Sequence, residues 1–216
     1  MISIYLLGIV ILAYLFGSIP TAVWLGQAFY GVDVREYGSG NAGATNTFRV
    51  LGPKAGSAVM FIDILKGWTA TNLPHLLDPT IVGMPEAPQF VNFQLALGVI
   101  AVLGHLFPIF AGFRGGKGVA TLFGMVLAIH LPAALCCVSV FILTLLITHY
   151  VSLSSILAGF TFPFSIAFIF HTSVPSVLLY GIAICALILI THQKNIERLL
   201  KGHESKIYLF KKKNKT

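Results

Sequence analysis

The sequence predicts an all-α, polytopic integral membrane bundle, and three observations carry that reading. Of its 216 residues 56% are hydrophobic and only 10% are charged, whereas a soluble domain carries about 25% charged residues. Mean hydropathy is +0.88. From Gly118 to Gln193 there is no Asp, Glu, Lys or Arg, a run that no water-soluble fold needs. The apolar stretches also recur near the length of about 20 residues that a helix needs to cross a hydrocarbon core. The chain reads as a single membrane domain, 1–216, with a basic tail from about residue 194.

The first three spans are Ile2 to Phe29, Ala55 to Leu77 and Phe93 to Phe113. Within the uncharged run, Pro132, the polar stretch from His149 to Ser155, and His171 to Pro175 act as dividers. They leave four further spans at about 118–131, 133–149, 154–171 and 175–192. The fourth has only 14 residues and is the shortest. Direction follows from the positive-inside rule. Asp78 and Glu86 lie in a segment without cations and go outside. Arg35, Arg49, Lys54, Arg114, Lys117 and the tail go inside. Seven spans with an external N-terminus and a cytoplasmic C-terminus satisfy all of these, and bring every polar cluster to the cytoplasmic side.

Several classes are excluded. Cys136, Cys137 and Cys185 all lie in apolar stretches without ligand spacing, so neither a disulfide framework nor a metal site is expected. The N-terminus lacks a basic n-region and a cleavage site, and its uncharged run is too long for a signal peptide. The net charge of +7 does not indicate nucleic acid: eight of the fourteen cations fall between Lys194 and Lys215. A terminal basic run beside a membrane helix is read as a topology anchor on anionic lipid.

Three polar stretches interrupt the apolar chain: GSGNAGATNTFR (38–49), FRGGKGVAT (113–121) and HQKNIERLLKGHE (192–204). In the first, Gly38, Gly40 and Gly43 match G-x-G-x-x-G, but no apolar strand precedes them, so a dinucleotide site is not expected. What remains is local physics: Gly40 and Gly43 expose amides, Ser39, Asn41 and Asn46 offer short hydrogen-bonding groups, and Arg49 is a fixed cation. In the second stretch, Lys117 is followed by Gly118 rather than Ser or Thr, so it is not a nucleotide-hydrolysing P-loop. Gly115, Gly116 and Gly118 around Lys117 at the start of a helix still suit an anion. In the third, His192, Asn195 and Arg198 share one helix face, and Glu204 follows a C-capping Gly202. The bland alternatives are an interhelical loop, a topology-setting lysine and an amphipathic surface helix. His130 and His171 read as structural, and so does His105, although a histidine within a span is often functional. Asp63 and Lys66, at i and i+3 within a span, read as a supporting ion pair, since each alone would cost about 2.5–3.5 kcal/mol there.

Taken together, GSGNAGATN with Arg49, GHLFPIFAGFRGGKGVAT, and the series Asn195, Arg198, Gly202, Glu204 resemble the three signature motifs of the bacterial glycerol-3-phosphate acyltransferases that use acyl phosphate as donor. Asp63, Lys66 and Gly67 match that family's DxxKG element. One position departs: His149 stands before Tyr-Val-Ser, where the family commonly has Arg. The resemblance implies transfer of a fatty acyl group from acyl phosphate to the 1-hydroxyl of glycerol 3-phosphate. The products would be lysophosphatidic acid and inorganic phosphate, the first acylation of phospholipid synthesis in the bacterial inner membrane. No cofactor and no metal are implied, and a functional link to an acyl-phosphate-forming enzyme is. On this reading Gly38 to Gly43, Ser39 and Asn41 cradle one phosphate, and Lys117 with the Gly115, Gly116 and Gly118 amides neutralises the leaving phosphate. Arg49, Ser152 and Asn195 orient the acceptor, Arg198 and Glu204 support it, and either His192 or a substrate phosphate accepts the hydroxyl proton. The rival from another class is a small phosphate or phosphate-ester transporter, which would place its charges near the midplane, often with repeat symmetry. No repeat is found.

Overall fold

The computed structural model describes residues 4–77 and 87–207. The segment carrying Asp78 and Glu86, and the lysines at 211–215, lie outside the described residues. Among those described there is no strand, and ten α-helices account for the architecture. The chain divides into two compact units, 1–131 and 132–216.

The first unit holds α1 (Ile4–Ser18), α2 (Thr21–Tyr30), α3 (Ala44–Leu51), α4 (Pro53–Asn72), α5 (Ala87–Leu106) and α6 (Val119–Ile129). Helix α4 is central and packs against α1, α3, α5 and α6. The closest crossings use glycine, as is usual where apolar helices gain nothing from excluding water and depend on backbone approach. Gly67 of α4 lies on the Thr121 carbonyl of α6, and Gly124 of α6 lies on the Ile64 carbonyl of α4. Gly17 of α1 and the Ala101 backbone of α5 make the same kind of contact, as do Gly104 and the Tyr14 carbonyl. A buried apolar cluster of Ile9, Ala13, Ala70, Leu73, Leu97 and Ala101 fills the space between α1, α4 and α5.

The sequence reads Ile2 to Phe29 as one span, but α1 and α2 meet at a 45° bend. Pro20 lies in the break and has no N–H to continue the helical ladder. The Ile19 carbonyl at the bend accepts a hydrogen bond from Lys66 Nζ at 2.9 Å. Lys66 also pairs with Asp63 at 2.8 Å, and Thr21 Oγ1 donates to Asp63 Oδ1 at 3.1 Å. Both charged side chains are only 3% exposed. The expected supporting pair therefore forms, and it ties the α1–α2 bend to α4. Removing one partner of such a pair typically costs about 3–5 kcal/mol, because the other is left buried and uncompensated.

The second unit holds α7 (Leu131–Thr148), α8 (Val151–Ser165), α9 (Pro175–Thr191) and α10 (Gln193–Leu200). Helices α8 and α9 pack through Gly159, which receives the Ile188 side chain, and through Gly181, which faces Pro163 and Phe162. Cys185 Sγ donates to the Gly159 carbonyl at 3.4 Å, so this thiol serves packing. Pro163 lies inside α8, which widens into a π-type turn over Ile166–Phe170 and stops at His171 in a left-handed conformation. Helix α9 turns into α10 through a 64° bend at His192.

Three helical segments among the described residues are long and apolar enough to cross a membrane: Pro88–Ala111, Leu131–Thr148 and Val151–Phe170. Counting each bent pair as one span brings the number to five. Helix α4 has sufficient length but carries Asp63 and Lys66. The span expected at 118–131 forms only an 11-residue helix, about 16 Å long against a core of about 30 Å.

Candidate functional site

In the first unit, a 3₁₀ turn over Val34–Glu36 leads into the glycine-rich loop at 38–43. Gly38 and Gly40 adopt φ of 61° and 71°, where a side chain would be strained. Asn46, 1% exposed, organises the loop from within. Its Oδ1 accepts from the Ser39 amide at 2.8 Å, and its Nδ2 donates to the carbonyls of Val34 (2.8 Å) and Tyr37 (3.1 Å). The Gly40 amide donates to Tyr37 O. Asn46 thus shapes the loop, and the Ser39 and Gly40 amides are committed to it. The loop then enters α3, which Gly43 precedes in an extended conformation. Ser39, Gly40 and Arg49 are exposed, and Asn41 is half-buried.

The second glycine run returns from α5. The amides of Gly115 and Gly116 donate to the Leu106 and His105 carbonyls at 3.2 Å each. These two glycines therefore dock the loop onto the end of α5, and their amides are not available to an anion as the sequence suggests. A Cβ on Gly116 would fall on His105 Nε2. Gly118, with φ of 81°, opens α6 directly after Lys117. The first turn of α6 presents the positive end of the helix dipole directly after Lys117, an arrangement that suits an anion.

The two runs are neighbours. Ala42, Gly115 and Gly116 line a small cavity whose other walls are Ile19, Pro20, Thr21, Lys66, His105 and Pro108. His105 is buried, with Nδ1 3.8 Å from Asp63 Oδ1. Arg35 connects the runs from outside the helices. Its Nε and Nη2 grip the Asp33 carboxylate at 3.0 and 2.7 Å, and its Nη1 donates to the Ala111 carbonyl at 2.8 Å and the Arg114 carbonyl at 3.4 Å. The Arg35 hydrogen bond holds the Asp33 carboxyl below its ordinary value against the opposing effect of burial. The same bond raises Arg35. Sequence reading missed this brace as a site feature, because Arg35 and Ala111 lie 76 positions apart.

In the second unit, Glu204 is the organiser. Its Oε1 accepts from Ser152 Oγ at 2.8 Å and Asn195 Nδ2 at 2.6 Å, while Oε2 accepts from Arg198 Nε at 2.6 Å. Burial alone would raise the Glu204 carboxyl, yet the bonds from Arg198, Asn195 and Ser152 outweigh it and hold the group below its usual value. The four residues come from α8, α10 and the segment after Gly202. That segment is held down by the Ile207 amide, which donates to His149 O at 2.8 Å, and by Lys206 over the Tyr150 ring at 5.4 Å. His149 itself is left-handed, with φ of 63°. His192 is 2% exposed and sits at the α9–α10 bend. Its Nδ1 lies 2.9 Å from Ile188 O. A carbonyl can only accept, so Nδ1 carries the proton and Nε2 is the basic nitrogen. Among the described residues no three His, Cys, Asp or Glu side chains gather as metal ligands would.

A family model described as Glycerol-3-phosphate acyltransferase matches residues 7–202. Curated proteins named glycerol-3-phosphate acyltransferase resemble the chain along nearly all of its length. The Chlorobium phaeobacteroides protein is 40% identical over 94% of this chain and 96% of its own. The Bacillus anthracis protein, glycerol-3-phosphate acyltransferase 2, is 46% identical over 91% and 96%. Among solved structures, PlsY, an integral membrane glycerol 3-phosphate acyltransferase crystallised in a glycerol 3-phosphate form, superposes with a TM-score of 0.81. It is 40% identical and covers 94% of this chain and 96% of its own. Its lysophosphatidic acid form gives a TM-score of 0.78.

Proposed function

The chain belongs to the glycerol-3-phosphate acyltransferase family, and on that premise we propose that it moves a fatty acyl group from acyl phosphate to the 1-hydroxyl of glycerol 3-phosphate. The products are lysophosphatidic acid and inorganic phosphate. The observation that carries the donor assignment is the meeting, within one unit, of the two glycine runs that lead into helices, one reaching the shared cavity through Ala42 and the other through Gly115 and Gly116. Helices α3 and α6 each begin behind a glycine run, and both runs line one cavity. Such N-termini suit small phosphate groups, and Lys117 adds a cation directly before α6.

In this mechanism the 1-hydroxyl oxygen attacks the acyl carbon, the new ester C–O bond forms, and the bond from that carbon to the phosphate oxygen breaks. The hydroxyl proton passes to His192 Nε2, whose tautomer is set by the Ile188 carbonyl. Lys117 and the first-turn amides of α6 stabilise the charge that collects on the leaving phosphate. Asn41 and the start of α3 hold phosphate in the first loop, with Arg49 beside it. Ser152, Asn195 and Arg198, ordered on Glu204, hold the acceptor. Phosphate is a good leaving group, so no covalent enzyme intermediate is needed.

The protein is an integral membrane acyltransferase of this family. The cation distribution supports an inner-membrane orientation with the polar stretches on the cytoplasmic side. An enzyme that forms acyl phosphate is then the functional partner this reading calls for. The test uses the purified protein in detergent with glycerol 3-phosphate and three donors of equal chain length: acyl phosphate, acyl-CoA and acyl carrier protein thioester. Only acyl phosphate should yield lysophosphatidic acid, with one inorganic phosphate released per transfer. Efficient transfer from acyl-CoA with acyl phosphate inert would overturn the assignment.

A further inference from the structure

We propose that Arg35 is a positioning residue that fixes the separation of the two glycine-rich anion elements, so that its loss slows acyl transfer without removing either phosphate-binding element. The proposal rests on the acyl-transfer reading above. On one side, segment 34–37 is joined rigidly to α3 through the Asn46 amide, which bonds to Val34, Tyr37 and Ser39. On the other, Gly115 and Gly116 are pinned to the end of α5, and Lys117 and α6 follow at once. Arg35 braces one side against the other through the Ala111 and Arg114 carbonyls.

The receiving turn depends on that brace. Ala111 and Arg114 flank Gly112 and Phe113, both left-handed, with φ of 63° and 59°. A residue with a side chain keeps such a conformation only where its surroundings impose it. The Phe113 side chain is 58% exposed and supplies little constraint of its own. The constraint comes from the backbone bonds to Pro108 O and from the guanidinium across the turn. Arginine suits this geometry because its planar fork holds the Asp33 carboxylate with one edge and donates to two carbonyls from another nitrogen. With Nε and Nη2 on Asp33 and Nη1 on the carbonyls, four of the five guanidinium N–H donors are engaged by the protein, which suits a brace better than a phosphate ligand. Lysine would keep the charge but lose the span.

The test compares full-length wild-type, Arg35→Lys and Asp33→Asn proteins in detergent, with rates expressed per folded molecule. A misplacement of about 1 Å at a reacting pair costs up to about 10²-fold. Arg35→Lys should therefore lose about 10- to 100-fold in kcat, with KM for acyl phosphate and for glycerol 3-phosphate each within about threefold and the melting midpoint unchanged. Asp33→Asn should shift kcat in the same direction by less. A folded Arg35→Lys or Asp33→Asn protein with wild-type kcat would overturn the proposal. So would a raised KM at unchanged kcat, which would make Arg35 a substrate ligand, or failure of both variants to fold, which would make it a residue of stability alone. Wild-type protein that does not transfer from acyl phosphate would instead count against the acyl-transfer reading.

Discussion

Replacing Glu204 with Gln tests whether one carboxylate holds the second unit's cluster together. The carboxylate receives three hydrogen bonds of 2.8, 2.6 and 2.6 Å, and its side chain is 8% exposed. Hydrogen bonds to a charged group are worth about 1.5–3 kcal/mol, against about 0.5–1.5 kcal/mol for neutral ones. Glutamine keeps an acceptor oxygen for Ser152 and Asn195, so about 1 kcal/mol is lost on each. Its NH₂ group would then meet Arg198 Nε donor to donor. Arg198 is 41% exposed, so that ion pair adds at most about 1 kcal/mol. The sum is about 3 kcal/mol of stability, together with a loosened Asn195 and Arg198. Thermal unfolding in detergent should show the loss, and KM for glycerol 3-phosphate should rise about tenfold or more as the polar grip on the acceptor weakens. The pH dependence has a defined sign. The folded carboxyl lies below its ordinary value of 4.5, so its contribution is full above that value and disappears as pH falls through the folded value. The Glu204→Gln protein should lack this part of the wild-type acid loss. A variant that melts within about 0.5 kcal/mol of wild type and keeps its KM would refute the account, since substitutions without a structural role stay within that range.

Other expectations concern the first unit and the topology. Lys117→Met should fold but lose about 10²-fold or more in kcat, the scale of one transition-state stabiliser; near-native turnover would remove Lys117 from the mechanism. A Cβ at Gly40 meets nothing nearer than Arg35 O at 3.5 Å, yet a side chain at φ of 71° costs about 1–2 kcal/mol, so Gly40→Val should distort the loop and reduce activity, and normal turnover would make the loop a mere connector. Gly116→Ala places a methyl on the His105 ring and should lower activity, whereas Gly8→Ala, with open space around it, should be silent in the same assay. Single cysteines at Ser39, Gly116 and Lys206 should react with an impermeant thiol reagent only from the cytoplasmic side; labelling of Ser39 and Gly116 from opposite sides would contradict the positive-inside assignment.

Sequence alone determined that this chain is a helical membrane protein, because a backbone in lipid must be hydrogen-bonded as a helix or a closed barrel, and continuous apolar runs of span length within the 76 uncharged residues from Gly118 to Gln193, rather than the alternation of barrel strands, select the helix. The three polar stretches were legible by contrast, because glycines clustered with amide and cationic side chains stand out between apolar spans and suit anions. The Asp63–Lys66 pair could be read from its spacing, since i and i+3 are neighbours on any helix. What each glycine does was not legible. Gly115 and Gly116 look like anion-binding amides in the sequence, and only the return of the chain onto α5 shows those amides donating to Leu106 and His105. Asn46 likewise reads as a ligand until its amide is found bonded to three backbone groups of its own loop. The brace from Arg35 to residues 111 and 114, and the gathering of Ser152, Asn195 and Arg198 on Glu204, join residues up to 79 positions apart. Local periodicity encodes which face of a helix is apolar, but the partner of a polar side chain is set by which helices pack together, and that is a property of the tertiary fold.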